Sequence, residues 1–391
     1  MFFDPDGSEV DWIVGYDPPA DKFQAAIEKI IKGEGTFKAL SAAYAKDPGN
    51  VGTVFELARK WDDRDDAAKA AEKFKDVLAL DPDGKMGMTT FKETKVSYTQ
   101  YAEYNLGLSA LQTRQGKPDP APLLAFVKKY PEEAIVKDAY MRLAAGYFGR
   151  SAPKADAAKF FDECTNRYPK DFMANNAWVK RILQDKEPLD KALELALRGV
   201  ELAQGPMKTN AFQNLAQVYL AKGDKAKAAE AAEELIRTEE ERLRGSKGAL
   251  GMAMIPSGSL SMGTSPYLLS AARIFIDADQ IERARAVFGT EFLKKHMDET
   301  PVLSGYATFW SGQFLNMDSA LAAAKKAVEL SPDAYRGWST LSQIQMKLKQ
   351  YDEALKAAEK ALALAPAQPP MIKDNIKKSI DQIKAAQAGK K

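Results

Sequence analysis

The stretch YRGWSTLSQIQMKLKQYDEALKAAEKALALAP, residues 335–366, decides the fold of this chain. Its apolar residues recur at helical spacing in two runs, which are separated by a short turn and followed by a loop proline. That proline, Pro366, lies 34 residues after Pro332, the proline of the preceding loop. The residues that carry the pattern are Trp338, Leu341, Ala354, Ala358, Ala361 and Pro366. The stretch predicts two helices paired across a turn.

The same arrangement recurs upstream in the chain. Leu57 lies 25 residues before the closing Pro82, which is the separation between the corresponding leucine and proline of the last unit. Leu143 lies 26 residues before Pro169, so this unit has one more residue in the turn between its helices. A single unit is a modest signal, but the shared spacing indicates about eight units between residues 51 and 368.

This pattern resembles the tetratricopeptide repeat, which has a period of about 34 residues. The resemblance implies an all-α fold, a tetratricopeptide-type α-solenoid of about eight helix pairs plus a capping helix. Each pair has too little apolar surface to bury alone, so neighbouring pairs stack into one core and curve into a superhelix. The predicted cap has one apolar face, formed by Ile372, Ile376, Ile380 and Ile383.

The repeat units divide the chain into six predicted segments. The predicted segments are a ββα unit at 1–33, a connecting helix at 34–50, repeats at 51–245, a Gly/Ser/Met-rich segment at 246–265, repeats at 266–368, and the capping helix and tail at 369–391. Long loops in compact domains are usually functional or disordered. The 246–265 segment is therefore predicted to be a flexible linker, or a lid that carries Met252, Met254 and Met262.

The front of the chain, MFFDPDGSEVDWIVGYDPPADKFQAAIEKIIKGEG, has a different pattern. Two apolar runs flank the turn at residues 4–7 and an amphipathic helix follows, which predicts a β-hairpin and a helix. This unit resembles the closing third of a thioredoxin fold, with strands in residues 2–16 and a helix at 19–32. The alternative is an unrelated ββα cap on the first repeat. We expect it to pack on the first repeats through its apolar residues, Trp12, Val14, Phe23, Ile27 and Ile30.

The thioredoxin resemblance implies a redox-active half that this chain lacks, because the chain has one cysteine and no C-x-x-C motif. If the resemblance holds, a longer protein with a C-x-x-C upstream of Met1 is expected. The chain would then be the client-presenting portion of a thioredoxin-family oxidoreductase.

The composition argues against several classes of function. Lys+Arg 56 against Asp+Glu 54 gives a net charge of +2, so the chain has no global field that would recruit nucleic acid or an anionic membrane. With one cysteine, Cys164, and one histidine, His296, it cannot assemble the usual zinc sites or a resolved thiol–disulfide pair. We therefore expect no enzymatic activity, no cofactor and no metal.

The chain also has no recognised membrane or secretion signal. It contains no apolar run of about 18 residues, which a transmembrane helix requires. Its first residues are not a basic segment followed by an apolar core, so no signal peptide is expected and the cytoplasm is the default compartment.

Candidate binding residues follow from the tetratricopeptide resemblance, because the first helix of each pair lines the inner face of the superhelix. The candidates on these helices are Arg181, Gln184, Asn210, Gln213, Gln217, Arg336, Ser339 and Gln343. Amide side chains can pair with the N–H and C=O groups of an extended peptide. The predicted function is a protein- or peptide-binding scaffold, as a monomer or weak dimer. The alternatives are an ordinary solvated face and a purely structural spacer.

Overall fold

The computed structural model describes residues 1–13, 20–112, 117–130, 134–249 and 257–389. The chain divides into two compact units, Met1–Arg181 (unit 1) and Ile182–Lys391 (unit 2). Both consist mainly of helices, which confirms the predicted all-α tetratricopeptide-type class. Within the part of the chain that the structure describes, no helix has the length and apolar character needed to cross a membrane.

Unit 1 is built from antiparallel helix pairs. The pairs are α3 Val51–Asp63 with α4 Ala67–Leu80, α5 Tyr98–Leu111 with α6 Ala121–Lys129, and α7 Ala134–Leu143, which continues through a π turn Ala144–Phe148, with α8 Lys154–Arg167. A further helix, α9 Phe172–Asp185, spans the boundary between the units. The first helices α3, α5 and α7 contact one another in order, as stacked repeats require.

Unit 2 repeats the same arrangement. Its helices are α10 Leu189–Leu202, α11 Met207–Ala221 paired with α12 Lys225–Ala249, α13 Ser257–Asp277 with α14 Ile281–Phe288, the short α15 Thr290–Lys294, α16 Thr300–Gly312 with α17 Met317–Leu330, α18 Tyr335–Lys347 with α19 Tyr351–Leu364, and α20 Met371–Ala388. The first helices α11, α13, α16 and α18 contact one another in succession. The predicted cap is α20, which buries Ile376, Ile380 and Ile383 against alanines of α19.

Small and aromatic residues determine how closely the helices pack. At the crossing of α5 and α6, a Cβ added at Gly107 would lie 2.9 Å from Leu123 Cδ1, so only glycine permits this approach. Aromatic rings fill the spaces between pairs: Phe55 of α3 stacks on Tyr98 of α5 with ring centroids 4.1 Å apart. A small residue at a helix crossing and aromatic rings between pairs therefore set the stacking distance.

A β-hairpin that the sequence analysis did not predict lies between α4 and α5. Strands β3 Met88–Phe91 and β4 Thr94–Ser97 pair antiparallel. Lys92 and Glu93 form the two-residue loop with φ of 45° and 71°, the left-handed geometry of a tight hairpin turn. Lys92 forms an ion pair with Asp138 of α7, which ties the hairpin tip to the third helix pair.

The front of the chain has the predicted ββα order but shorter strands. β1 Phe2–Phe3 pairs antiparallel with β2 Glu9–Asp11, and α1 Ala20–Ile31 follows. Residues 14–19, which include Val14, lie outside the described residues. The connecting segment contains α2 Phe37–Lys46.

The front unit packs on the first repeat, as expected, but a charge cluster makes much of the contact. Asp11 is fully buried and ion-pairs with Lys60 of α3 and with Arg64, the residue that caps the end of α3. The Arg64 guanidinium also lies 4.1 Å from the ring centroid of Phe37 and 5.1 Å from that of Trp12. The prediction named apolar residues alone. The ion pairs of Asp11 were therefore not predicted.

The segment 246–265 is helical where the structure describes it. α12 continues to Ala249 and α13 begins at Ser257. Residues 250–256, with Met252 and Met254, lie outside the described residues, so the lid prediction falls largely on positions that are not described.

Candidate functional site

Two of the predicted groove residues, Asn210 and Gln213, line one pocket in unit 2. The pocket has a volume of about 360 Å³ and lies between α11, α12 and α13. Its lining residues are Pro206, Thr209, Asn210, Gln213, Glu239, Arg242, Tyr267 and Ser270. All but the proline carry polar side-chain atoms, so the pocket is suited to a polar ligand rather than an apolar one.

A buried carboxylate organises the α12 wall of this pocket. Glu239 is 7% exposed, and both of its oxygens are bonded. Arg242, one helical turn further on, donates from Nε to Oε2 at 3.0 Å and from Nη2 to Oε1. Thr209 of α11 donates its hydroxyl to Oε2 at 2.9 Å. The arrangement fixes the guanidinium at the pocket and joins α11 to α12.

The same contacts set the charge state of the pair. The Arg242 hydrogen bonds hold the pKa of Glu239 below its ordinary value, although burial opposes them. The Glu239 carboxylate in turn raises the pKa of Arg242. Both groups are therefore ionised at neutral pH, and their charges balance at the pocket wall.

Tyr267 supplies a hydroxyl from the α13 wall. Burial raises its pKa, and the neighbouring carboxylates of Glu240 and Glu239 raise it further. The phenol therefore keeps its proton at neutral pH and can donate a hydrogen bond. Together with the amides of Asn210 and Gln213, it gives the pocket donors and acceptors from two neighbouring first helices.

Four of the remaining predicted residues are surface residues outside this pocket. Gln217 is exposed on α11, one turn beyond Gln213. Arg336 and Gln343 are exposed on α18, and Ser339 is half-buried between them. The Arg336 guanidinium donates from Nε to the hydroxyl of the adjacent Tyr335 at 3.2 Å. Part of the guanidinium is therefore bonded within its own helix.

The prediction for Arg181 is not supported by its surroundings. Arg181 is 5% exposed, and its guanidinium donates to the carbonyl oxygens of Phe148 at 2.7 Å and Ala152 at 2.8 Å. Phe148 is the last residue of the π turn, and Ala152 lies just after the end of the same helix. Arg181 is thus a structural residue of unit 1, while Gln184 on the same helix is exposed.

Sequence reasoning missed most of the pocket. Thr209, Glu239, Arg242, Tyr267 and Ser270 were not among the candidates. The reason is partly the length of the second helix: α12 runs 25 residues, whereas the second helices α4 and α19 run 14 each. Its added turns bring Arg242 to the pocket.

The single cysteine and the single histidine have the surroundings of structural residues. Cys164 is fully buried, and burial raises the pKa of its thiol to about 12. His296 Nδ1 lies 2.7 Å from Glu299 Oε1 near a helix end. Among the described residues, no cluster of His, Cys, Asp and Glu could hold a metal ion.

Comparisons with known proteins support the repeat assignment. Family models of the tetratricopeptide repeat match residues 335–368 and residues 209–241. No curated protein sequence matches the chain. The thioredoxin resemblance of residues 1–33 finds no support in these comparisons.

Several solved structures are also similar. One is YrrB, described as a TPR protein with an unusual peptide-binding site, at 16% identity and a TM-score of 0.28 over 56% of this chain and 97% of that one. Another is the TPR domain of P58(IPK), at 15% identity and a TM-score of 0.26 over 95% and 97%. A third is a tetratricopeptide repeat protein from Parabacteroides merdae, at 11% identity and a TM-score of 0.38 over 85% and 98%.

The two matched segments coincide with helix pairs of unit 2. Residues 335–368 cover α18 and α19, and residues 209–241 cover most of α11 and α12, including Asn210, Gln213 and Glu239. The chain therefore contains tetratricopeptide repeats, and one of them forms two walls of the candidate pocket.

Proposed function

We propose that this chain is a protein-interaction scaffold that binds an extended peptide segment on the first helices of unit 2, with the α11–α12–α13 pocket as the anchor. The observation that carries the proposal is the meeting of Asn210 and Gln213 with Tyr267 and Ser270 in one pocket. Amides and hydroxyls from two neighbouring first helices can pair with both the N–H and C=O groups of a peptide backbone.

The neighbouring first helices offer a surface on which the peptide can continue. A Cβ added at Gly305 or Gly312 of α16 would meet nothing within 4 Å, so the surface of α16 is open at both positions. Thr308 is exposed between these glycines, and Arg336 and Gln343 are exposed on the next first helix, α18. The exposed side chains of Thr308, Arg336 and Gln343 are polar, which suits a peptide backbone.

The charge of the pocket favours a polar rather than a strongly acidic anchor residue. Arg242 carries a positive charge, but Glu239 neutralises it through two hydrogen bonds. A fully buried unpaired charge on the peptide would therefore lose its solvation without gaining a counter-ion. We infer that the anchor is an uncharged stretch of backbone with a small or amide side chain.

Selection from a displayed library of random 12-residue peptides on the full chain tests this proposal. Selected peptides are expected to lose about tenfold or more in affinity for the Asn210→Ala, Gln213→Ala, Gln217→Ala triple variant, because several hydrogen bonds are removed together. The substitutions trim exposed or half-buried polar side chains, so the melting temperature is expected to stay unchanged.

The matched control is a triple alanine variant on a second helix, α19. Its three exposed positions are Glu353, Lys356 and Lys360. This variant is expected to bind selected peptides as the parent does. An unchanged affinity of the α11 variant, or a selection that enriches no peptide, would show that the groove assignment is wrong. The thioredoxin-linked alternative stays a prediction, with the upstream C-x-x-C as its test.

A further inference from the structure

A second pocket, in unit 1, has a different chemical character from the peptide groove. It has a volume of about 450 Å³ and lies between the end of α5 and the α7–π-turn helix. Its polar lining residues are Arg142, Arg150, Tyr147, Gln112 and Ser151, and the others are Leu111, Pro118, Ala145 and Gly146. Two guanidinium groups, a phenol, a hydroxyl and an amide therefore meet in a space that suits a small molecule.

The π turn explains why both arginines reach this pocket. Arg150 follows Arg142 by eight residues (150 − 142). In an unbroken α-helix, eight residues turn about 80° beyond two full turns, so the two side chains would leave the helix about 80° apart around its axis. The π turn Ala144–Phe148 adds one residue to a turn, and the net offset falls to about 20°. The two arginines thus lie on one face, two turns apart.

Glycines at the π turn allow this geometry. A Cβ at Gly149 would overlap the carbonyl oxygen of Ala144, five residues earlier. At Gly146, a Cβ would lie 3.4 Å from Leu111 Cδ2, so α5 packs close against this helix. The local sequence therefore accommodates a turn that α-helical propensity alone would not produce, and such turns occur frequently at functional sites.

The charges at the pocket are not balanced by the protein. Arg142 donates a hydrogen bond from Nε to Asp138 Oδ2 at 3.1 Å, but the Arg142 side chain remains 52% exposed. Asp138 also accepts from Tyr104 and ion-pairs with Lys92, so its single negative charge is shared between two cations. Arg150 is exposed and has no ion-pair partner among the described residues. Of the residues that line the pocket, the two arginines are the charged ones, and the Asp138 carboxylate that partly balances them is shared with Lys92, which leaves an excess positive charge.

We propose that this pocket binds a small ligand through an oxyanion, either a phosphoryl or a carboxylate group, held between Arg142 and Arg150. Guanidinium groups make charge-assisted, often bidentate hydrogen bonds to both kinds of oxyanion. The Tyr147 and Ser151 hydroxyls and the Gln112 amide add neutral donors around the same space. The site belongs to unit 1 and is independent of the unit 2 groove.

Isothermal titration calorimetry of the full chain at low ionic strength tests the proposal with two probes, inorganic phosphate and glutarate. At least one probe is expected to bind saturably at one site, and added sodium chloride is expected to weaken it. Binding of phosphate alone assigns a phosphoryl ligand, and binding of glutarate alone assigns a carboxylate. Binding of both supports a site that accepts either group.

Two variants and a control decide whether the heat comes from this pocket. Arg150→Gln and Arg142→Gln are each expected to weaken binding about tenfold or more, since each removes a charge-assisted contact. Arg198→Gln, which removes a surface arginine of α10, is the control and should bind as the parent does. Arg150 makes no ion pair within the described chain, so its variant should melt like the parent. Lack of saturable binding by both probes, or unchanged binding by Arg150→Gln, overturns the proposal.

Discussion

Asp11 of the front strand, which has no exposed surface of its own, holds the guanidinium of Arg64, the capping residue at the end of α3, at 3.1 Å. Lys60, in the last turn of α3, pairs with the second oxygen of this carboxylate. The junction between the ββα unit and the first repeat therefore depends on one buried carboxylate that serves two cations. Removal of that charge leaves both cations against a desolvated surface, which is costlier than the loss of an exposed pair.

The Asp11→Asn variant tests this junction. The substitution keeps the shape and removes the charge, so we expect a loss of about 3 kcal/mol in the stability of the front unit. Hydrogen exchange of the amides in residues 1–13 and in α2 should show it as reduced protection. Glu9→Gln is the control, because Glu9 pairs with Arg64 from a partly exposed position and its loss should cost about 1 kcal/mol or less. Equal effects of the two substitutions would contradict the argument.

The Arg181→Gln variant tests the structural role of the misassigned groove residue. Two carbonyl oxygens, of Phe148 and Ala152, lose charged donors, and we expect a destabilisation of about 3 kcal/mol of unit 1. Urea unfolding followed by circular dichroism measures it. Gln184→Ala, on the same helix and exposed, should change the midpoint little. If Arg181→Gln is as stable as the parent, the guanidinium does not stabilise the end of the π turn.

Two glycine substitutions in first helices should act in opposite directions. Gly305→Ala places a methyl group in open space within α16 and should stabilise unit 2 by about 0.5–1 kcal/mol through helix propensity. Gly107→Ala places it 3.2 Å from Leu123 Cα, a backbone atom that cannot move alone, and should cost about 1–3 kcal/mol. Thermal melting of both variants gives the comparison, and shifts of the same sign would show that the α5–α6 contact is loose.

The pocket carboxylate Glu239 should make unit 2 sensitive to acid. Its pKa is lowered in the folded chain, chiefly by Arg242, so its stabilising contribution is fully present above the unfolded pKa of about 4.3. The contribution is lost as the pH falls through the folded pKa. Glu239→Gln should therefore be less stable than the parent at pH 7, and the difference should shrink below about pH 4.

Urea midpoints of parent and variant at pH 7 and pH 3.5 measure this difference. Glu241→Gln provides the control, because Glu241 pairs with Arg237 at the surface and its loss should leave the midpoint nearly unchanged at both values. A Glu239→Gln deficit that is the same at both pH values would mean that packing, rather than charge, is responsible.

Cys164 should be unreactive in the folded chain. Burial raises its thiol pKa to about 12, and thiolate is the species that attacks disulfides and alkylating reagents. Labelling with a chromogenic aromatic disulfide at pH 8 should give no release of chromophore from the native chain and one equivalent after unfolding in guanidinium, since the chain has one cysteine. Rapid labelling without denaturant would show that α8 opens readily.

The helix pairs were predictable because their signal is local. Alanines such as Ala354 and Ala358 recur at helical spacing with a proline at a fixed distance, and the structure places these alanines in the core against α20. The β3–β4 hairpin had no such signal. Its loop, Lys92-Glu93, is not a favoured turn pair, and its tertiary contact is the ion pair to Asp138, a residue 46 positions away in the sequence.

The candidate site was only partly predictable for a related reason. Asn210 and Gln213 lie at regular spacing on one helix, so their shared face follows from the period alone. The orientation of Arg181 does not follow from the period. Its guanidinium donates to a carbonyl of the π turn, and a 3.6-residue period contains no information about a π turn. Glu239 and Arg242 depend on how far α12 extends, and helix ends are the least certain feature of a sequence pattern.

The tether between Lys92 and Asp138 has a consequence for how unit 1 comes apart. In a linear repeat array each unit interacts with its immediate neighbours, so such arrays can unravel from one end in steps. Here the hairpin after the first pair reaches past the second pair to the third. A next-nearest-neighbour coupling of this kind suppresses fraying and favours concerted unfolding of three pairs as one cooperative block.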